Sequence, residues 1–203
     1  MGLNNKDINI IPYLPSLSLA RNWMRARLDG YDDTLSWIKG LQGAGNRLIN
    51  PRILTRTLVA GARGQEPLLL SVPIEGGASG VKHGDPAFWR ISLHGDWPRI
   101  HLGALEAAYS NTAYYPHLIN QIRKIVSDVK EGDNFALFTR QLLETIYNFL
   151  DIETLIPALR NIIRENPERI RLLSEEKKPG TDADLSILDV IFKRGPETIF
   201  TLL

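Results

Sequence analysis

Cysteine is absent from all 203 residues. That excludes disulfides, thiolate metal sites and a cysteine nucleophile. An excess of charge of one sign is missing too. Lys and Arg number 24 against 23 Asp and Glu, for a net charge of +1. Duplex binding draws its affinity from neutralised phosphates and usually shows a basic surplus, so no nucleic-acid partner is expected. Long apolar runs are lacking, which leaves no candidate transmembrane segment. The opening MGLNNKDINIIPYLPS has no basic region followed by a long apolar stretch, as a signal peptide would. Gly2 fits a myristoylation motif, but Lys6 stands where that motif needs Ser or Thr. Cytoplasm is the expected compartment.

What is present has ordinary globular proportions, 43% hydrophobic and 23% charged. The length suits one domain over residues 1–203, burying roughly 70% of its unfolded surface. Its halves differ in texture. Residues 1–97 are rich in Gly, Pro and short apolar runs, and residues 98–203 read almost wholly as helix. The fold class expected is therefore mixed α/β (α+β). A small N-terminal mixed sheet of about five strands, with a β-α-β opening and a hairpin, is followed by a helical C-terminal half.

Strands are expected at Asp7–Ile11, Thr34–Ile38, Ile53–Ala60, Leu68–Ile74 and Phe88–Leu93, with GARGQEP as a hairpin connection. Pro15-Ser16 opens a helix that runs to about Leu28 and stops at Gly30. Gly76–Asp85, with four glycines, is a loop. Helices are expected over Ile100–Ser110, Pro116–Lys130, Asn134–Leu150, Thr154–Arg164, Pro167–Leu173 and Leu185–Lys193. In Asn134–Leu150, the residues Phe135, Phe138, Leu142, Ile146 and Phe149 repeat at helical spacing.

Few constellations carry chemistry. The loop Gly40-Leu41-Gln42-Gly43-Ala44-Gly45 could cradle a phosphate, yet it lacks the Walker order, and a connector explains its glycines as well. His83, His94, His101 and His117 show no i, i+4 pair, so no metal site is expected. Ser71 and Ser110 have no nucleophile-elbow setting. His101 and Glu106 form a base and carboxylate on one helix, but five residues place them roughly 140° apart. Glu106 and Tyr109, at i, i+3, share a face. Arg21, Arg25, Arg47, Arg52, Arg56 and Arg63 could form an anion site, or be solvated. Trp23, Trp37, Trp89 and Trp97 could stack on a sugar or base; core packing is the commoner fate of tryptophan.

Several segments together resemble the WbqC-like family, in order along nearly the whole chain. They are PYLPS (Pro12–Ser16), NPRILTRTLVAGARGQEPLLLSVPI (residues 50–74), IHLGALEAAYSNTAYYPHL (residues 100–118) and NFALFTRQLLETIYNFLDI (residues 134–152). The tail LSILDVIFKRGPETIFTLL (residues 185–203) is similar to that of a divergent, Bacteroidetes-type branch. The chain departs from the family pattern at Ile11, Pro51 and Leu102, and no acidic residue stands near Lys39.

The resemblance implies a transferase of surface-polysaccharide (O-antigen-type) biosynthesis, moving glycine or another amino acid onto a small-molecule or lipid-linked sugar. Under it His101 is the general base, and Glu106 and Tyr109 orient the substrate, with Glu106 counted among the catalytic groups. Arg52 holds an anionic or carbonyl group, and Asn46 or Asn50 replaces the asparagine lost at Pro51. No cofactor is called for. The alternative is a non-catalytic interaction or scaffold protein on the same fold, and a homodimer fits either reading.

Overall fold

A computed structural model of the chain describes residues 11–33, 36–37, 51–77, 79, 86–165 and 184–203. Its elements, in chain order, are α1 (Leu17–Leu28), α2 (Pro51–Thr55), β1 (Arg56–Val59), β2 (Leu68–Ser71), α3 (Trp97–Tyr109), α4 (Tyr115–Ser127), α5 (Phe135–Leu150), α6 (Ile152–Glu165), α7 (Ile187–Arg194) and α8 (Thr198–Leu202). The class is mixed, as expected: one small antiparallel sheet precedes a helical C-terminal half.

The sheet is smaller than the sequence reading. Among the described residues it has two strands, with Arg56 opposite Ser71 and Val59 opposite Leu68. Residues Ile53–Thr55 join the short helix α2 instead of extending β1. The expected strand at Phe88–Leu93 makes only isolated pairings, Ile91 with Ile74 and Arg90 with Asn134. Its backbone is shared between two neighbours: Ser92 N donates to Pro73 O at 2.9 Å, and Ile91 N donates to Asp133 O at 2.8 Å. Neither neighbour runs beside it long enough to form a ladder.

The β-α-β opening is also corrected. Asp33, Ser36 and Trp37 are helical where Thr34–Ile38 was expected to be a strand. Ser36 ties itself back to the turn, with its N at 2.9 Å and its Oγ at 2.7 Å from Asp32 O. Packing then decides the segment. Trp37 stacks on Trp23 at 5.3 Å, and Trp23 stacks on Tyr147 at 5.0 Å. Asp33 Oδ1 accepts from Trp23 Nε1 at 3.0 Å and from Tyr147 Oη at 2.9 Å, which satisfies the polar tips of the stack. Residues 7–10 and Pro167–Leu173 lie outside the described residues.

The helices follow their capping chemistry. Ser16 caps α1 by accepting from Leu19 N, and Asn134 caps α5 by accepting from Leu137 N at 3.0 Å. Helix α3 begins a turn earlier than expected, at Trp97, with Pro98 in its first turn. Buried side chains from Ile11 to Leu202 form one hydrophobic cluster.

Both ends of the described chain brace the hairpin. Tyr13 N donates to Leu54 O at 2.8 Å, and Thr57 Oγ1 donates to Leu14 O at 2.6 Å. Ser186 N donates to Leu58 O at 2.7 Å, which occupies a backbone acceptor at the edge of β1. The sheet is thereby fixed against α3, which carries His101, Glu106 and Tyr109.

Candidate functional site

Helix α3 buries a stripe at a spacing of four: Trp97, His101, Leu105 and Tyr109. That spacing advances only about 40° per step around a helix, so all four side chains enter the core. His101 is only 2% exposed and Tyr109 is fully buried.

His101 is held by two distant segments. Its Nδ1 lies 2.9 Å from Tyr13 Oη, and it also makes a hydrogen bond with the Ser71 backbone. Trp97 and Tyr13 pack on the ring, at centroid distances of 4.9 and 5.5 Å. Burial pushes the His101 pKa down to about 4, with the Ser71 bond opposing that shift. The ring is therefore neutral at pH 7. Burial also raises the Tyr13 phenol far above its ordinary value, so Tyr13 keeps its proton. Tyr13 is then the donor to Nδ1, and the other ring nitrogen carries the proton that reaches Ser71.

Tyr109 makes the matching contact one hairpin strand away. Its Oη accepts from Ala60 N at 2.9 Å, where β1 ends. Burial raises the Tyr109 pKa and the nearby Asp189 carboxylate raises it further, while the Ala60 amide opposes them. His101 and Tyr109 thus clamp the two strands of the hairpin onto α3.

Glu106 is exposed, so the structure separates it from Tyr109, whose face it was expected to share. Three residues put the side chains about 60° apart, and the edge of the core falls between them. Arg52 is exposed on α2 and already makes an interaction of its own. Asn46 and Asn50 lie outside the described residues.

Glu106 lines a cleft of about 620 Å³ between the hairpin loop and α3, with Ala62, Arg63, Gln65, Ala107, Ser110 and Asn111. A second groove of about 650 Å³ runs between α4 and α5 and contains none of the candidate site residues. Neither cleft is lined by Arg52, His101 or Tyr109. The expected convergence of those three on one pocket is not seen among the described residues. They also hold no group of three or more metal-ligating side chains, and no described helix is long and apolar enough to cross a membrane.

Three groups that build this region do not stand out in the sequence: Tyr13 has no role there, Ser71 is considered only as a nucleophile, and Arg63 is one of six arginines that could form an anion site. Tyr13 sits in the PYLPS segment, but nothing local signals a partner 88 residues away. In Ser71 the backbone is the part that acts.

The profile of the WbqC-like protein family matches residues 50–182. The chain belongs to the WbqC-like family. No curated protein and no solved structure matches it. In this WbqC-like protein the matched span contains the hairpin, all of α3 and the cleft between them. It leaves out Tyr13, which bonds to His101, and Asp189, whose carboxylate acts on Tyr109.

Proposed function

We propose that this WbqC-like protein is a transferase of surface-polysaccharide assembly and that the cleft between the hairpin loop and α3 is its reaction site. The transfer is that of an amino-acyl group such as glycine, from an activated acyl donor onto a sugar. The observation that carries this reading is the position of Glu106. It is exposed, it lines a cleft of small-ligand size, and it lies on the same helix as the two buried residues that hold the opposite wall in place. In this reading Glu106 accepts the proton of the attacking sugar hydroxyl, while that oxygen bonds to the acyl carbon and the donor's leaving group departs. His101 and Tyr109 act as positioning residues, because both are inside the core.

A thermal-shift screen against nucleotide sugars, free amino acids and lipid-linked sugar analogues tests this. Saturating ligand stabilises by mass action, about 2.7 kcal/mol at a hundred times Kd. The expected result is a ligand that raises the melting temperature of the wild type and does so far less for Glu106→Gln. A ligand that shifts both equally contradicts the assignment of Glu106.

The burial of His101 favours a second reading, a non-catalytic interaction protein on the same fold. It predicts no small-molecule shift in the same screen.

A further inference from the structure

The connection between β1 and β2 contains a residue poorly suited to its own backbone. Gln65 N donates to Ala62 O at 3.0 Å, closing a four-residue turn. Both central residues have positive φ, Arg63 at φ 53° and ψ 36°, and Gly64 at φ 78°. That is the sign pattern of a type I′ turn, which favours Asn, Asp or Gly first and Gly second. Gly64 fits. An arginine in the first position brings its Cβ against backbone oxygen, which is why ordinary side chains avoid left-handed geometry.

Elsewhere the same loop uses glycine where crowding demands it. A Cβ on Gly61 would lie 2.3 Å from the carbonyl oxygens of both Gln65 and Glu66. At Gly64 a Cβ would meet nothing, and the φ alone calls for glycine. Arg63 is the exception. Its side chain is exposed and forms no hydrogen bond or ion pair among the described residues. The loop is anchored without it, through the Ala60 amide on Tyr109. A left-handed conformation kept by a side chain that bonds to nothing among the described residues points to function.

Arg63, on the hairpin loop, lines the same cleft as Glu106 on α3, together with Gln65, Ser110 and Asn111. A guanidinium presents a planar fork of donors that matches a carboxylate or a phosphate two bonds at a time. Glu106 brings one negative charge to the same cleft, so the pair is balanced. The ligand it suits is anionic at one end and carries a hydroxyl or amine at the other. Amide and hydroxyl side chains between them offer neutral hydrogen bonds.

We infer that Arg63 is the anion anchor of this cleft, holding the carboxylate or phosphate of a ligand whose donor end meets Glu106. The inference rests on the reading of this cleft as the reaction site. Arg52, the arginine that the resemblance singled out, is not on the cleft.

The test is titration of sodium phosphate, and separately of glycine, into wild type, Arg63→Gly and Arg63→Lys at constant ionic strength. Binding is followed by calorimetry and melting temperature without ligand by scanning. Arg63→Gly is expected to melt a few degrees higher, because glycine relieves the turn, and yet to bind the anion at least about tenfold more weakly. Arg63→Lys restores part of the binding, as a point charge without the fork. Weakened phosphate binding identifies a phosphate site, and weakened glycine binding a carboxylate site. Equal affinities for wild type and Arg63→Gly overturn the inference, and so does a wild type that binds neither anion. Failure of the broader reading is separable: if Glu106→Gln abolishes a ligand response that Arg63→Gly leaves intact, the cleft stands as the reaction site and Arg63 is not its anchor.

Discussion

His101 remains uncharged at pH 7, because protonation would place a cation among Trp97, Tyr13 and the hairpin backbone. With a folded pKa of about 4 against an unfolded 6.5, the unfolded chain binds a proton that the folded chain refuses between those values. Stability therefore falls as pH drops from 6.5 to about 4 and loses nothing further from this group below that. The full effect is on the order of 3 kcal/mol. Carboxylates titrate in part of the same window, so the diagnostic quantity is a difference. Urea unfolding at pH 7.0, 5.5 and 4.5 (about one step above the window and two within it) should show a steep loss for wild type and a distinctly shallower one for His101→Gln. Equal slopes would mean that His101 is not held neutral by burial.

At this scale the sequence was informative about faces and silent about partners. Trp97, His101, Leu105 and Tyr109 stand four apart, a spacing that is written in the chain. The ring that His101 meets comes from Tyr13, and the amide that Tyr109 meets comes from Ala60. Neither pairing has a local signal, because each is created by the way the hairpin folds onto α3. The boundary between exposed Glu106 and buried Tyr109 is not legible for a related reason: helical spacing gives an angle, and only the packed neighbours decide where the core ends along it.

Among the described elements, the helices and the two hairpin strands were legible, whereas Thr34–Ile38 and Phe88–Leu93 were not the strands expected. Asn134–Leu150 was expected to within one residue of α5, since a long apolar stripe and a capping residue both mark it. The two strands of the ladder are short, and the Phe88–Leu93 segment pairs only through isolated bridges, so an apolar run looks the same whether it forms a ladder or not. Asn134 links the two behaviours. Its Oδ1 caps α5, its Nδ2 donates to Ala87 O at 2.8 Å, and its backbone pairs with Arg90. Asn134→Ala removes the cap and leaves the Ala87 carbonyl without this donor. A loss of about 1–2 kcal/mol is expected, measured as a lower denaturant midpoint with an unchanged m-value. A neutral substitution would show that α5 is set by packing alone.

Over the whole molecule, the two ends of the described chain meet around the hairpin. Leu17 N donates to Leu185 O and Ile187 N to Pro15 O, both at 2.8 Å. The WbqC-like match covers residues 50–182 and so holds the cleft itself, while Tyr13 and Ser186 brace the hairpin from outside that span. The arrangement gives the hairpin loop a fixed wall to face, α3, with Arg63 on the loop and Glu106 on the helix. A two-stranded sheet alone is marginal in water; here the contacts from Tyr13, Thr57, Ser186 and Tyr109 hold it in register.

The central claim is that ligand enters this cleft and not the groove between α4 and α5. Amide chemical-shift mapping of isotope-labelled protein, titrated with glycine and with a nucleotide sugar, addresses it directly. Shifts are expected at residues 61–65 and 106–111, with little change along α4 and α5. Shifts concentrated instead on Lys124–Val129 and Asn134–Asn148 would contradict it.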